Sequence, residues 1–129
     1  MTNRKIRGLY TPGIFMIALC YGTSALAHHS FDAHFNRSEE VTIQGTVTEF
    51  WFANPHARIY LEVVNEAGET EEWMVEGGSR NNLIRRGWQE DTVKSGMQVL
   101  LTGNTSRDGS NSVGGWGTLT TSDGSEVVP

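Results

Sequence analysis

Cysteine is nearly absent from this chain. The only cysteine among the 129 residues is Cys20, and it lies in an N-terminal segment that we expect to be removed. The mature chain would then form no disulfide, even in an oxidising compartment. Its stability must come from packing, with or without help from a ligand.

Long apolar runs are also scarce, and the single one stands near the N-terminus. Residues 14–20 are apolar, small residues lead to Ala25-Leu26-Ala27, and three basic residues precede the run: Arg4, Lys5 and Arg7. These are the three zones of a secretory signal with an A-x-A cleavage site. We therefore predict that residues 1–27 are a cleaved signal peptide and that the mature protein is periplasmic or secreted.

Two other interpretations of this segment are weaker. A membrane-spanning helix needs about 20 apolar residues, and Gly13 and Gly22 close this run earlier. A lipoprotein signal ending at Cys20 is disfavoured because Leu19 stands where such signals have a small residue. We therefore expect no stable membrane anchor.

Basic residues are in the minority. The chain has 10 basic and 15 acidic side chains, and the predicted leader contains three of the basic residues and no acidic one. The mature chain then carries 7 basic and 15 acidic side chains, a net charge of −8. This balance disfavours nucleic acid and anionic lipid as partners.

Catalytic signatures are missing too. The chain contains no glycine-rich phosphate loop, no paired-cysteine zinc motif and no dinucleotide fingerprint. Ser30, Asp32 and His56 can be combined into a triad, but no nucleophile elbow or oxyanion loop accompanies them. A single small domain offers little substrate platform, so we favour binding over catalysis.

The mature chain is dominated by alternating apolar and polar residues. This alternation predicts half-buried strands, and glycine and Asn-Pro punctuation separates them. We predict an extended arm over residues 28–40, a helix over 80–86 that starts at Ser79 and stops at Gly87, and five strands over 41–52, 57–64, 70–76, 97–102 and 116–121. In the first strand, the buried face is assigned to Val41, Ile43, Val47 and Trp51.

Three strands, a helix and two more strands follow the order of an OB-type barrel. We therefore predict a mainly β fold, a five-stranded OB-type barrel over residues 41–129 with one short helix between strands 3 and 4. Gly45 would allow the long first strand to bend. A small β-sandwich is the competing architecture.

Three blocks of sequence carry a resemblance. They are Ala27-His28-His29-Ser30-Phe31, Asn54-Pro55-His56-Ala57 and Leu83-Ile84-Arg85-Arg86-Gly87-Trp88. As a set they resemble the recurring blocks of a family of small exported bacterial proteins of unknown function. The family tends to have proline where this chain has Arg80. The resemblance implies export and a compact β fold, and it supplies no activity.

The histidines point to metal binding. Cleavage after Ala27 would give His28 a free α-amino group, whose pKa is about 8, and an amine plus an imidazole on one residue form a chelate for a metal. Adding His56 or His34 would give three nitrogens in a T-shape that suits copper(II), with zinc the second choice. Asp32 would be an extra ligand or a hydrogen-bond acceptor for an imidazole.

The cleavage position decides which atoms bind. Cleavage one residue earlier would expose Ala27-His28-His29 and place His29 third, where the amine and two backbone amides complete a square-planar copper or nickel site. The alternative for His28 and His29 is a solvated polar chain end. For His56 it is a capping role in the turn, and for His34 it is ordinary packing.

Aromatic and arginine residues suggest a rival role. The alternation makes Trp51 and Trp73 core residues, whereas Trp116, between two glycines, is a candidate ligand contact. Arg85 and Arg86 could hold a carboxylate or phosphate, or be solvated on the helix. The leading hypothesis is thus a metal-binding or metal-handling module, and the rival is a non-metal domain that binds a carbohydrate, peptide or protein partner.

Overall fold

A computed structural model describes residues 31–127. The predicted signal peptide and its cleavage site lie outside the described residues, as do His28 and His29. His34, His56, Trp116, Arg85 and Arg86 lie within them.

The described chain is mainly β, as predicted. Residues 31–34 are helical (α1), and a second short helix, α2, spans Arg80–Arg85. The strands are β1 (Phe35–Trp51), β2 (Arg58–Val64), β3 (Thr70–Glu76), β4 (Gln98–Ser106), β5 (Ser112–Gly114) and β6 (Leu119–Thr121). The short helix α2 therefore lies between strands β3 and β4, where the sequence pattern placed it.

The sheet closes on itself. Strand β1 pairs antiparallel with both β2 and β4, and β3 pairs parallel with β5, so the order β1-β2-β3-β5-β4 returns to β1. Strand β6 pairs with the first half of β4 and β5 with its second half. They act as two parts of one fifth strand. The result is a closed five-stranded barrel of the OB type, which confirms the predicted fold class.

Aliphatic side chains fill the barrel. Alternate positions on each strand point inward, and Trp88 together with Leu83 of α2 closes one end. The buried residues of this core are Ile43, Val47, Ala57, Ile59, Leu61, Val75, Leu83, Trp88, Val93, Val99, Leu101, Val113, Leu119 and Val127. Burial of such apolar surface is the main stabilising term for a domain of this size.

Strand β1 is longer than predicted and changes partner midway. It begins at Phe35 rather than Val41, so residues 35–40 of the predicted arm pair with β4 or bulge beside it. Thr46 pairs with both Gln98 of β4 and Glu62 of β2. At Gly45 a Cβ would lie 2.7 Å from the Glu62 carbonyl oxygen. Glycine therefore lets strand β2 approach at this crossing point.

The assignment of Trp51 to the buried face was wrong. The pairing of β1 with β2 shifts register between Val47 and Glu49, and this bulge turns the following residues over. Phe50 then packs against the core, whereas Trp51 is 37% exposed. The alternation of β3 is as predicted, with Trp73 packed on the core.

The C-terminal strands also differ from the pattern. The predicted fifth strand over residues 116–121 is split, and Trp116 lies between β5 and β6. Gly115 in this break has φ of +77°, a conformation that favours glycine. Strand β4 extends to Ser106 instead of ending at residue 102, so the connection that follows it is shorter than predicted.

None of the helices within residues 31–127 combines the length and the hydrophobicity that crossing a membrane requires.

Candidate metal site at the rim of the barrel

His56 lies at the rim of the barrel, two residues before β2 begins. Its Nδ1 atom is 3.1 Å from the carbonyl oxygen of Gly77. Because a carbonyl oxygen can only accept a hydrogen bond, this contact assigns the hydrogen of the neutral ring to Nδ1. Nε2 then carries the lone pair, and it has no hydrogen bond to any residue in 31–127. The side chain is 44% exposed, so an ion from solvent can reach it.

The loop that carries His56 is held on both sides. Asn54 exchanges hydrogen bonds with Asn81 of α2, through its amide nitrogen at 3.3 Å and its oxygen at 3.4 Å. The amide of Ala57 donates to the Gly78 carbonyl at 2.9 Å, and the amide of Gly77 donates to the Ala57 carbonyl at 2.8 Å. The predicted interruption of the strand at Asn54-Pro55 is confirmed, because β1 ends at Trp51 and β2 begins at Arg58. Hydrogen bonds on both sides hold the loop in place.

A carboxylate accompanies the imidazole. Glu76 Oε1 is 3.8 Å from His56 Nδ1, while the other oxygen of Glu76 accepts from Arg58 at 3.3 Å. The guanidinium of Arg58 lies 5.1 Å from the centre of the Trp51 ring, within the range of a cation–π contact. His56 therefore lies beside a negative charge that is itself held in place.

The first described residues are anchored to the outside of the barrel. A Cβ at Gly114 would lie 2.5 Å from the Phe35 ring and 2.7 Å from the Phe31 ring, so both rings lie directly on the backbone of β5. Asp32 pairs with Arg37, whose guanidinium also lies 4.4 Å from the centre of the Phe31 ring. The chain is therefore fixed to the barrel from Phe31 onward.

Arg107 reinforces this N-terminal anchor, which we define as residues 31–37. Its Nε donates to the Asp32 carbonyl at 2.7 Å, and its amide donates to the His34 carbonyl at 2.8 Å. Gly114, under the two phenylalanine rings, pairs with Glu76 in the parallel β3–β5 ladder. The anchor therefore contacts Gly114, and His56 lies beside Glu76, the residue that pairs with Gly114.

His34 packs edge-on against Phe35, with ring centres 6.4 Å apart. Its side chain is exposed, and it lines an outer groove of about 720 Å³ together with Arg58, Met74, Glu76 and Arg107. Asp32, the proposed oxygen ligand, already accepts from Arg37. Its carboxylate is engaged in the anchor.

Trp116 shares a groove with Arg86 but not with Arg85, the other arginine of the RRGW block. Trp116 packs its ring over Gly77 and against Trp88, with ring centres 5.5 Å apart. It lines a second groove of about 560 Å³ that also includes Arg86 and Arg37. Arg85 is exposed and lies outside that groove. Trp116 is therefore half-buried: it packs against Trp88 and also forms part of the wall of the second groove.

Within residues 31–127 the predicted ligands are His34, His56 and Asp32, and they do not form one metal-holding group. No three side chains of His, Cys, Asp or Glu come together in a metal-holding group within residues 31–127. A metal site built on His56 would therefore need ligands from the residues before Phe31.

Sequence reasoning missed the residues that position His56. The third strand was predicted to end at residue 76, and no functional role was assigned to Glu76, Gly77 or Gly78. The pairs Gly77-Gly78 and Gly114-Gly115 were visible as signals, because paired glycines often mark close backbone approach. What they approach is decided by strand pairing, which the pattern does not show.

The fold and the site define a class of protein: a small closed OB-type barrel with an anchored N-terminal segment and a fixed histidine at its rim. The chain belongs to the family of unknown function DUF6152, whose model matches residues 17–115. No curated protein and no solved structure matches the chain.

Proposed function

We propose that this protein is an exported, periplasmic metal-binding or metal-handling module, with copper as its metal and zinc as the second choice. The α-amino group and imidazole of His28, freed by signal cleavage, and the Nε2 atom of His56 would supply three nitrogens. The observation that carries the proposal is the hydrogen bond from His56 Nδ1 to the Gly77 carbonyl. A ligand histidine typically uses one nitrogen for the metal and donates the other to a carbonyl or carboxylate.

The N-terminal anchor supports the participation of His28. Only His29 and Ser30 lie between His28 and Phe31, and covalent geometry limits a span of three residue steps to about 10 Å. Phe31 lies on Gly114, which pairs with Glu76, the neighbour of His56. A chain end tethered this close loses less entropy on binding than one free to diffuse over a long arm.

Charge and donor type favour a borderline metal. The mature chain would carry a net charge of −8, and Glu76 lies 3.8 Å from the His56 ring, so the local field attracts a cation. Imidazole and amine nitrogens suit copper(II), nickel and zinc rather than magnesium or calcium. His29 would replace the imidazole of His28 if cleavage fell one residue earlier.

Mass spectrometry and copper titration test the proposal together. The intact mass of the periplasmic form should correspond to a chain starting at His28, and this form should bind one copper more tightly than an unstructured histidine-rich peptide. We expect His28→Ala and His56→Ala each to weaken copper binding at least about tenfold, the lower bound known for outer-shell partners. His34→Ala is the matched control and should bind as wild type.

The same titration contains the contradicting outcomes. Unchanged affinity in His28→Ala would exclude the N-terminal site, as would a periplasmic form that starts downstream of His29 or still carries its leader. An N-terminal tag of several residues should abolish tight binding because it moves the free amine away from both His28 and His29. A tagged protein that binds as tightly as the cleaved one would contradict the proposal.

The second groove favours one alternative, a non-metal interaction domain. Its wall combines the Trp116 and Trp88 rings with Arg86, a set that suits a carbohydrate, a peptide or a protein partner with acidic groups. Binding through this groove should survive an N-terminal tag and be reduced by Arg86→Ala. Arg85→Ala, at the neighbouring position but outside the groove, is its control.

A further inference from the structure

We infer that Gly77 and Trp116 act as positioning residues for His56: the indole supports the Gly77 backbone, which in turn holds the imidazole with its hydrogen on Nδ1. The role in metal binding rests on the proposed function, whereas the positioning of the ring does not. Neither residue would touch the metal.

The contact between Gly77 and Trp116 is the first step. A Cβ added at Gly77 would lie 2.1, 2.3 and 2.6 Å from the Cη2, Cζ3 and Cζ2 atoms of Trp116. These distances are shorter than any non-bonded carbon contact, so the six-membered ring of the indole occupies the space that a side chain would need. Trp116 is itself held by the buried Trp88, with ring centres 5.5 Å apart.

The second step runs from Gly77 to the imidazole. The amide of Gly77 donates to Ala57 at 2.8 Å, and the amide of Gly115 donates to the Glu76 carbonyl at 2.6 Å. The peptide group between Glu76 and Gly77 is thus tied to Ala57, just before β2, and to Gly115, just after β5, while the indole blocks movement from the third side. The carbonyl of Gly77 then accepts from His56 Nδ1 at a fixed position.

This arrangement matters because free histidine has two neutral tautomers. The carbonyl selects the one with hydrogen on Nδ1, and only that tautomer offers Nε2 as a lone pair without first moving a proton. Partners of this kind typically change metal affinity by about 10–100-fold when they are removed. A shift of the Gly77 backbone should therefore change the tautomer of His56 in the metal-free protein. It should also weaken copper binding, which is measured separately.

The experiment compares matched glycine variants in the metal-free, signal-cleaved protein. Two-bond ¹H–¹⁵N correlation spectra report which nitrogen of His56 carries hydrogen. We expect Gly77→Ala to move the hydrogen from Nδ1 towards Nε2 and to weaken copper binding by about tenfold or more. Gly78→Ala is the control, because a Cβ there would meet only Asn82 Nδ2, at an ordinary 3.8 Å.

A second variant identifies Trp116 as the cause. Trp116→Phe keeps an aromatic ring but is too short to reach the space next to Gly77. Combining it with Gly77→Ala makes room for the methyl group, so the double variant should regain more of the Nδ1 tautomer than Gly77→Ala alone. Thermal unfolding shows which variants remain folded.

The results separate this inference from the proposed function. It is overturned by a folded Gly77→Ala that keeps the wild-type His56 spectrum, or by Gly78→Ala having an equal effect. If Gly77→Ala does not fold, the His56 spectrum of Trp116→Phe tests the inference instead. A smaller fraction of His56 with hydrogen on Nδ1 would support it, and a spectrum identical to that of wild type would overturn it. A wild type that shows the predicted tautomer but no copper affinity would refute the metal function and leave the positioning role supported.

Discussion

The interior of the barrel and the rim around His56 are built differently. The interior is aliphatic, and within residues 31–127 it contains no buried polar or charged residue. At the rim, His56 is held by the Gly77 carbonyl, and Glu76 is held by the opposite charge of Arg58. Packing inside should therefore determine stability, and hydrogen bonds at the rim should determine the position of a few atoms. Substitutions can separate these two properties.

The largest effect should come from the interior. Leu61 is completely buried, so Leu61→Ala should lower the free energy of unfolding by about 2–5 kcal/mol. Val64, on the same strand, is 67% exposed, and Val64→Ala should change it by no more than about 0.5 kcal/mol. Urea unfolding measures both. Similar losses in the two variants would mean that the barrel interior is not the source of stability.

Gly114→Ala tests the boundary between the two regions. Its Cβ would lie 2.5 Å from the Phe35 ring, and overpacking of this kind typically lowers the free energy of unfolding by about 1–3 kcal/mol. Because the displaced rings belong to the N-terminal anchor, copper affinity should fall as well, although no proposed ligand is changed. Denaturation and copper titration on the same sample measure the two effects. Full copper affinity in a destabilised variant would show that the anchor does not position His28.

Ser79→Ala should have a smaller effect. The Ser79 hydroxyl accepts from the Asn82 amide at 3.3 Å and caps α2, and loss of such a cap typically lowers stability by about 1 kcal/mol. The melting temperature should fall by about 4–8 °C for a domain of this size. Ser122→Ala, at an exposed position, should leave it unchanged. Equal melting temperatures in the two variants would contradict the capping role.

The smallest effect concerns acid stability far from the rim. Hydrogen bonds from Thr121 and Ser125 lower the pKa of Asp123 from 3.8 to about 2. A carboxyl whose pKa is depressed in the folded state stabilises the protein above its unfolded pKa, and this stabilisation is lost as the pH falls through the folded pKa. The difference in stability between wild type and Asp123→Asn should therefore shrink between about pH 4 and pH 2. A difference that is constant over this range would contradict the assignment.

Much of the fold was predictable from local patterns. Alternation in β3 identified its bounds and faces, Ser79 and Gly87 marked the ends of α2, and the order of elements indicated an OB-type barrel. These features succeed because strand periodicity, helix caps and left-handed glycines depend on neighbours in sequence. The site was predictable only in part: histidine chemistry singled out His56, but not its partners.

The sequence by itself determined which residues can be strands, where the helix begins, and that histidine nitrogens are the candidate metal ligands. Only the tertiary structure decided that Trp51 faces outward, that Trp116 packs against Gly77, and that Phe31 lies on β5. The physical reason is that a bulge reverses every following side chain, and that barrel closure joins residues far apart in the chain. Local periodicity contains no information about either.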